Sequence, residues 1–345
     1  MSSYNLEECR AASLEFRKSR LKDILYIPVP HDQRAGSRID AKRVARNAIH
    51  AIAVGRKQTN GKTTSSLCVT VFVTHKIPRR LIEKSLIPDS IDGIPTDVVE
   101  IGIPQSAAGS LTNCPRPNRP ERRLTPGISI ANASSAGYGT ISCFCKKEGH
   151  DPALFLLSNS HVLAPRGGRT RGTDIFQPNV EGDDSNPIAT LWDSVPLRAH
   201  NPDPITFDAA IARLVSPWHN RSKNEICGQP AISQVGVPTP EVPVAKFGAS
   251  TLVTEGRIGW IDYIGPISYA GVGLVQLQGQ LLIRPSSPEQ HFCGRGDSGS
   301  LIVDPTGSTA YGIICARVDD PERGGHFCIA SPLTPILEHF RLSLA

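Results

Sequence analysis

The chain lacks any run of about 18 apolar residues, so nothing in it reads as a membrane-spanning helix. It also lacks a strong charge of either sign. Thirty-seven basic residues stand against 32 acidic ones, a net +5, and they are scattered, which argues against a nucleic-acid footprint. No internal repeat and no G-X-Y period appear, which excludes solenoids and collagen. The amino terminus, Met1 to Cys9, lacks the basic start and apolar centre of a secretory signal, and the expectation is a cytoplasmic protein. Nine cysteines, an odd number at uneven spacing, cannot all pair within the chain and suit a reducing compartment. Cys143-x-Cys145 is too tight for a zinc pair, and in a strand its two side chains are expected on opposite faces.

Turn formers, by contrast, are plentiful: 30 glycines and 29 prolines in 345 residues favour short strands joined by turns. That length suggests two units. Residues 111–126, rich in proline and arginine, read as a linker between a small α/β accessory domain (1–110) and a mainly β domain (127–345). In the first unit Asp40 caps an expected helix through Val44, Ala45, Ala48, Ile49, Ile52 and Ala53 to Gly55. A strand follows at Leu67 to Val73, a short helix from Pro78 to about Ser85, and a strand from Gly93 to Ile101. After the linker eight strands are expected: 138–145, 153–157, 188–191, 209–214, 251–261, 274–284, 301–304 and 311–316. Leu333, Ile336, Leu337 and Phe340 then form one stripe of a closing helix.

Three segments carry chemistry. Leu156 to Ala164, LLSNSHVLA, places His161 just after an apolar strand. Phe207 to Ala212, FDAAIA, puts Asp208 at a strand start among residues that bury it. Gly294 to Val303, GRGDSGSLIV, sets Ser298 in a glycine-rich turn leading into a strand. A serine hydroxyl becomes nucleophilic when a base takes its proton, and a base active near neutral pH selects histidine. The imidazole needs a carboxylate on its other nitrogen to fix the tautomer. Glycines 296 and 299 let backbone donors face a developing oxyanion. Taken alone, each of the three residues reads more readily as a turn residue, a strand cap or a core histidine; their order and strand context together raise the catalytic reading.

These blocks resemble trypsin-like serine proteases of the chymotrypsin fold over residues 127–345. IFQP at 175–178 and KFGAST at 246–251 resemble blocks of intracellular bacterial and plant members that carry an extra amino-terminal α/β domain. The resemblance implies a double antiparallel β-barrel and a serine endopeptidase without cofactor or metal. It implies His161 as general base, Asp208 as orienting acid and Ser298 as nucleophile, with the amides of Gly296 and Ser298 as oxyanion hole. Its substrate would be a protein or peptide, and the amino-terminal domain would serve a regulatory or assembly partner. Phe292, six residues before the serine, would line the primary pocket and favour an apolar or small residue before the scissile bond.

Departures from the pattern are Val162 in place of a disulfide cysteine, Asn159-Ser160 in place of two alanines, and no Ile-Val-Gly-Gly start. Asp297 therefore calls for either a cut in the linker, with Arg122 or Arg123 as the expected site, or an internal cation. The rival reading is a catalytically silent scaffold of the same fold that binds a peptide or partner protein. Gly55 to Thr63 misses phosphate-loop spacing by one residue. His150, His291 and His326 are expected on the solvated surface, and Glu181, Asp183 and Asp184 form a solvated turn in preference to a calcium loop.

Overall fold

A computed structural model describes residues 4–24, 49–59, 62–74, 76, 87–106, 109–110, 123–135, 137–165, 171–178, 186–199, 203–226, 231–287, 291–319 and 326–345. The expected Pro78 helix, Arg122, most of the linker and the Glu181 to Asp184 turn lie outside them.

The first 110 residues hold helix α1 (Leu6–Ile24) and strands β1 (Ile49–Thr59), β2 (Lys62–Val73), β3 (Ser90–Ile91), β4 (Ile94–Glu100), β5 (Gln105–Ser106) and β6 (Gly109–Ser110). The helix expected to run to Gly55 is corrected, because residues 49–59 are a strand. β1 lies between β2 and the long strand β16, and its two faces enter different core clusters, Ile49, Ile52 and Val54 in one and Ala51 and Ala53 in the other, so Ile49 to Val54 are all buried. A strand buried on both faces is a continuous apolar run, and such a run satisfies helical spacing equally well. The structure also adds α1, whose buried stripe among the described side chains is Cys9, Ala12, Ser13 and Phe16. Small residues in a polar segment give little periodic signal.

The remaining chain forms two β assemblies whose strands pair antiparallel except β14 (Gln234–Val235), which runs parallel to β19 (Thr309–Asp319). The first contains β7 (Ser129–Asn132), β8 (Gly137–Thr140), β9 (Cys143–Lys147), β10 (Leu154–Ser158), β11 (Asp174–Phe176), β12 (Ala189–Ser194) and β13 (Ala210–Leu214), with a short helix α2 (Ser160–Leu163) after β10. The second contains β14 (Gln234–Val235), β15 (Pro243–Gly248), β16 (Leu252–Tyr269), β17 (Gly273–Pro285), β18 (Leu301–Val303), β19 (Thr309–Asp319) and β20 (His326–Pro332). Helix α3 (Leu333–Phe340) then carries the chain back, and β21 (Leu342–Leu344) pairs with β9. Each expected strand after residue 127 has a counterpart, with 138–145 divided into β8 and β9. The divided segment turns at Ile141 and Ser142, whose amides bond to Ile128 and Leu157.

The first unit does not pack as an isolated body. β1 pairs with β16 through Ile52↔Ile264, Val54↔Ile261 and Gly55↔Trp260, and β2 and β4 extend the same sheet. Trp260 donates its indole N–H to Thr70 Oγ1 at 3.1 Å and meets Phe72 edge-on, with ring centroids 5.7 Å apart. One core cluster contains Phe16, Ile52 and Val71 from the first unit and Ile258, Ile283 and Phe292 from the second assembly.

Two cysteine expectations are corrected. Cys293 and Cys328 form a disulfide that ties the segment before Ser298 to β20, while Cys9, Cys68, Cys143, Cys145 and Cys315 are free and buried. The Sγ atoms of Cys143 and Cys145 lie 3.7 Å apart, not on opposite faces. The hydrogen bond with Cys143, followed by burial, pushes the Cys145 thiol up. His326 is likewise buried, with Nε2 3.1 Å from the Cys293 carbonyl oxygen and its ring stacked on His291 at 4.0 Å, not on the surface as expected.

Candidate active site

The site grows from three turns. His161 stands in α2, directly after β10. The two residues before it fasten that turn to the Asp208 segment: Asn159 Nδ2 donates to the Asp208 carbonyl at 2.8 Å, and Ser160 Oγ donates to the Ala209 carbonyl at 2.6 Å. Alanines could not make these bonds, so the departure at 159–160 serves to hold two chemical groups in register.

Asp208 is fully buried, and its Oδ2 lies 2.5 Å from His161 Nδ1, while its Oδ1 accepts the His161 backbone N–H at 3.2 Å. The Asp208 amide donates to Ser331 Oγ, which donates to Gln280 Oε1 at 2.7 Å. Gln280 is itself fixed by donation to the Thr206 carbonyl at 2.6 Å. A carboxylate in this position holds the imidazole in the tautomer with its proton on Nδ1 and leaves Nε2 to act as base.

Sequence reasoning missed two neighbours. The Tyr269 ring, at the end of β16, lies 5.4 Å from the His161 ring, and its buried hydroxyl sits where burial and the charge of Asp208 both raise its pKa. Cys315 in β19 is buried near the same carboxylate, and burial followed by the Asp208 charge raises its thiol. Neither belongs to a local motif, and only the folded sheet brings them to the histidine.

Ser298 lies in the turn before β18, with Gly296 at φ +97° and Gly299 at φ +92°. A Cβ on Gly299 would stand 2.2 Å from the Thr140 carbonyl oxygen, so this position requires glycine for space as well as conformation. Ser250 Oγ donates to the Arg295 carbonyl. In a trans peptide the N–H points opposite to the C=O, so this bond turns the Gly296 amide away from Ser250.

The histidine and serine turns meet across β8. The Thr140 amide donates to the Ser298 carbonyl at 2.7 Å, and a Cβ built on Gly139 would lie 2.8 Å from that carbonyl oxygen and 2.5 Å from Val162 Cγ2, next in sequence to His161. Ser298 Oγ and His161 Nε2 are both buried and neither has a hydrogen-bond partner. Phe292, expected to line a pocket, is fully buried in the core cluster shared with the first unit.

Asp297 has an internal cation. Lys246 Nζ, from β15, lies 3.3 Å from Asp297 Oδ2, and both side chains are fully buried. Asp297 also accepts hydrogen bonds from the amides of Ser250 (2.9 Å), Thr251 (3.2 Å) and Gly294 (2.8 Å) and from Thr251 Oγ1 (2.6 Å). Lys246 additionally donates to Thr251 Oγ1 and to the Leu252 carbonyl. Burial lowers the lysine pKa, and Asp297 acts against that shift. Of the two alternatives open for Asp297, the lysine provides a partner without a new chain terminus. Among the described residues no cluster of three or more His, Cys, Asp or Glu is arranged to hold a metal.

No protein-family model matches the sequence, and comparison with curated proteins gives no match. The fold is mainly β, with sheets of twelve and nine strands among the described residues, and solved structures include similar ones. Thermobifida fusca protease A is 17% identical, with a TM-score of 0.44 over 64% of this chain and 99% of that chain. Cellulomonas bogoriensis chymotrypsin is 14% identical, with a TM-score of 0.43 over 64% and 99%. Nocardiopsis protease is 16% identical, with a TM-score of 0.44 over 64% and 98%.

Proposed function

We propose that the chain is a serine endopeptidase. His161 Nε2 takes the Ser298 proton as Oγ attacks a peptide carbonyl, the amides of Gly296 and Ser298 hold the oxyanion, and the same imidazole then protonates the leaving amine. Water activated by His161 hydrolyses the acyl-enzyme. The observation that carries this reading is the buried 2.5 Å His161–Asp208 pair, whose Nε2 has no partner, while the buried Ser298 hydroxyl has none either. Lys246 supports it by holding Asp297, and with it the serine turn, in place within an uncut chain.

The first unit, in this reading, positions the β16–β17 hairpin and offers a surface to a regulatory or assembly partner. Phe292, next to the disulfide-bonded Cys293, is taken to limit the primary pocket, which favours a small or apolar residue before the scissile bond. The cytoplasmic setting drawn from the sequence stands against the Cys293–Cys328 disulfide, a bond that persists in oxidising compartments. Thiol counting on freshly denatured protein taken from cells decides between them.

The silent-scaffold reading draws support from one observation, the missing Ser298–His161 hydrogen bond. A serine-directed phosphonate separates the two. Labelling of the wild type and not of Ser298→Ala, with casein cleavage lower by about 10⁴-fold or more in the variant, supports the enzyme. Equal inertness of both supports the scaffold.

A further inference from the structure

One edge of β19 carries both the serine turn and a segment of the first unit. β20 takes the other edge along its whole length, from Gly312↔Pro332 to Asp319↔His326. On the edge away from β20, the Gly299 amide donates to the Ile314 carbonyl at 2.8 Å, and the Ile314 amide donates to the Ser300 carbonyl at 3.0 Å. Ser298 directly precedes the residues that make these bonds. Beyond them β5 pairs antiparallel with β19 through Ala316↔Ser106 and Arg317↔Gln105. A strand has two edges and β20 fills one, so β5 continues the row that the serine turn begins. Two residues of strand, about 7 Å, separate Ile314 from Ala316. Further on, the Gly102 amide donates to the Asp319 carbonyl at 3.4 Å. Residues 102–106 thus run along β19 from Asp319 to Ala316, advancing toward the serine turn.

The other side of this segment is held by β16. The Ser268 amide donates to the Pro104 carbonyl at 2.7 Å, and Ser268 pairs parallel with Gln105. Tyr269, next in sequence, has its ring 5.4 Å from that of His161. The segment therefore fills a slot with one wall continuous with the serine turn and the other with the residue that packs on the histidine. Ile101, just before it, is fully buried, and its amide donates to the Val73 carbonyl at 3.0 Å, which anchors the segment to the accessory sheet. Among the described residues no other strand meets Ala316 or Arg317 on this edge.

A sheet edge recognises an extended peptide through main-chain hydrogen bonds, by taking it up as one more strand in register. A strand added at Ala316 and Arg317 is aligned with the serine turn by a single row of β19 backbone groups, and residues 102–106 already use those groups. We infer that residues 102–106 block in cis the edge on which a protein substrate lays its own extended strand, and that the substrate must displace them to be cut. The inference rests on the endopeptidase reading and gives the first unit a regulatory role in it. A peptide that competes with an internal strand binds more weakly in proportion to the fraction of molecules whose edge is open. If about one molecule in ten is open, apparent affinity falls about tenfold. A small electrophile that uses no sheet edge is not subject to this competition.

The test therefore compares two serine-directed probes, an alkyl fluorophosphonate and a phosphonate carrying a four-residue peptide. Both are applied to wild type, to Ser298→Ala and to the double variant Gln105→Pro, Ser106→Pro, which removes both N–H donors of β5. The alkyl probe should label wild type and the proline variant at the same rate and leave Ser298→Ala untouched. The peptidyl probe should label the proline variant at least about tenfold faster than wild type. Peptidyl labelling of the variant at the wild-type rate or slower, with alkyl labelling intact, overturns this inference and leaves the endopeptidase reading standing. Absence of alkyl labelling in wild type overturns both. Hydrogen exchange on the wild type needs no variant to fold. Once Ser298 is saturated with the peptidyl probe, the amides of 102–106 should lose protection while those of Ala316 and Arg317 keep it; amides of 102–106 that stay protected in fully labelled protein overturn the inference.

Discussion

Replacing Lys246 by Met tests whether the buried ion pair holds the nucleophile turn. Methionine nearly keeps the volume and the apolar stem but removes the cation, leaving the Asp297 carboxylate fully buried. Breaking a buried pair by deleting one partner costs about 3–5 kcal/mol. Four hydrogen bonds to Asp297 survive, at 2.6 to 3.2 Å, and charged hydrogen bonds are strong ones. The loss therefore falls at the lower end, about 3 kcal/mol, which for a chain of this size lowers Tm by about 4 °C. Asp297 directly precedes Ser298, so relaxation of its turn moves the hydroxyl, and the rate of phosphonate labelling should fall at least about tenfold. Urea and thermal unfolding measure the first quantity and a labelling time course the second. In a double-mutant cycle with Asp297→Asn, the two substitutions together should cost at least about 1 kcal/mol less than their sum. A Lys246→Met protein within about 0.5 kcal/mol of wild type, labelling at the wild-type rate, refutes the claim that the lysine organises this turn.

Two further outcomes follow from single buried groups. His50 is fully buried beside the Ile101 carbonyl, and burial lowers its pKa to about 4 from 6.5. The unfolded chain takes up this proton near pH 6.5 and the folded chain only near 4, so the contribution is intact above 6.5 and is lost as pH falls to 4, roughly 3 kcal/mol in all. Urea midpoints measured from pH 7 to pH 4 should show that slope in wild type and a flatter one in His50→Leu; identical slopes would assign the acid sensitivity elsewhere. Gly299→Ala and Gly149→Ala both place alanine at positive φ, but the first drives a Cβ to 2.2 Å from backbone and the second meets nothing within 4 Å. Gly149→Ala should cost about 1–2 kcal/mol and spare phosphonate labelling, whereas Gly299→Ala should abolish labelling; a fully labelled Gly299→Ala would show that the turn adapts.

His161 and Asp208 could be found in the sequence because each sits where an apolar strand meets a turn, and a strand end fixes where one side chain goes. Ser298 was marked by glycines whose backbone conformation other residues resist. Lys246 stood in a block quoted only for its resemblance, and its pairing with Asp297 depends on β15 lying beside the serine turn, a long-range register that no local pattern encodes. Tyr269 and Cys315 are hidden in the same way. β1 was misread for a different reason: a strand buried on both faces loses the alternation that distinguishes it from a helix. The disulfide escaped because an odd cysteine count says that one thiol is spare and nothing about which two meet.

The strand that joins these pieces is β16. Its 18 residues would extend some 60 Å if straight. Register breaks against β17 between Ile258 and Trp260, Trp260 and Tyr263, and Tyr263 and Gly265 bend it instead. At one end the Leu252 carbonyl accepts a hydrogen bond from Lys246, beside Asp297; at the other Tyr269 packs on His161; in the middle Trp260 bonds to Thr70 of the first unit. One strand thus touches the serine turn, the histidine and the accessory sheet. Edge strands left unpaired are open to association, and β1 pairs along β16 from Trp260 to Ile264. The accessory unit is therefore part of the structure that sets the distance between Ser298 and His161. Its first and last contributions are distinct: β1 pairs with β16, while β5 pairs with β16 and β19 and β6 with β8.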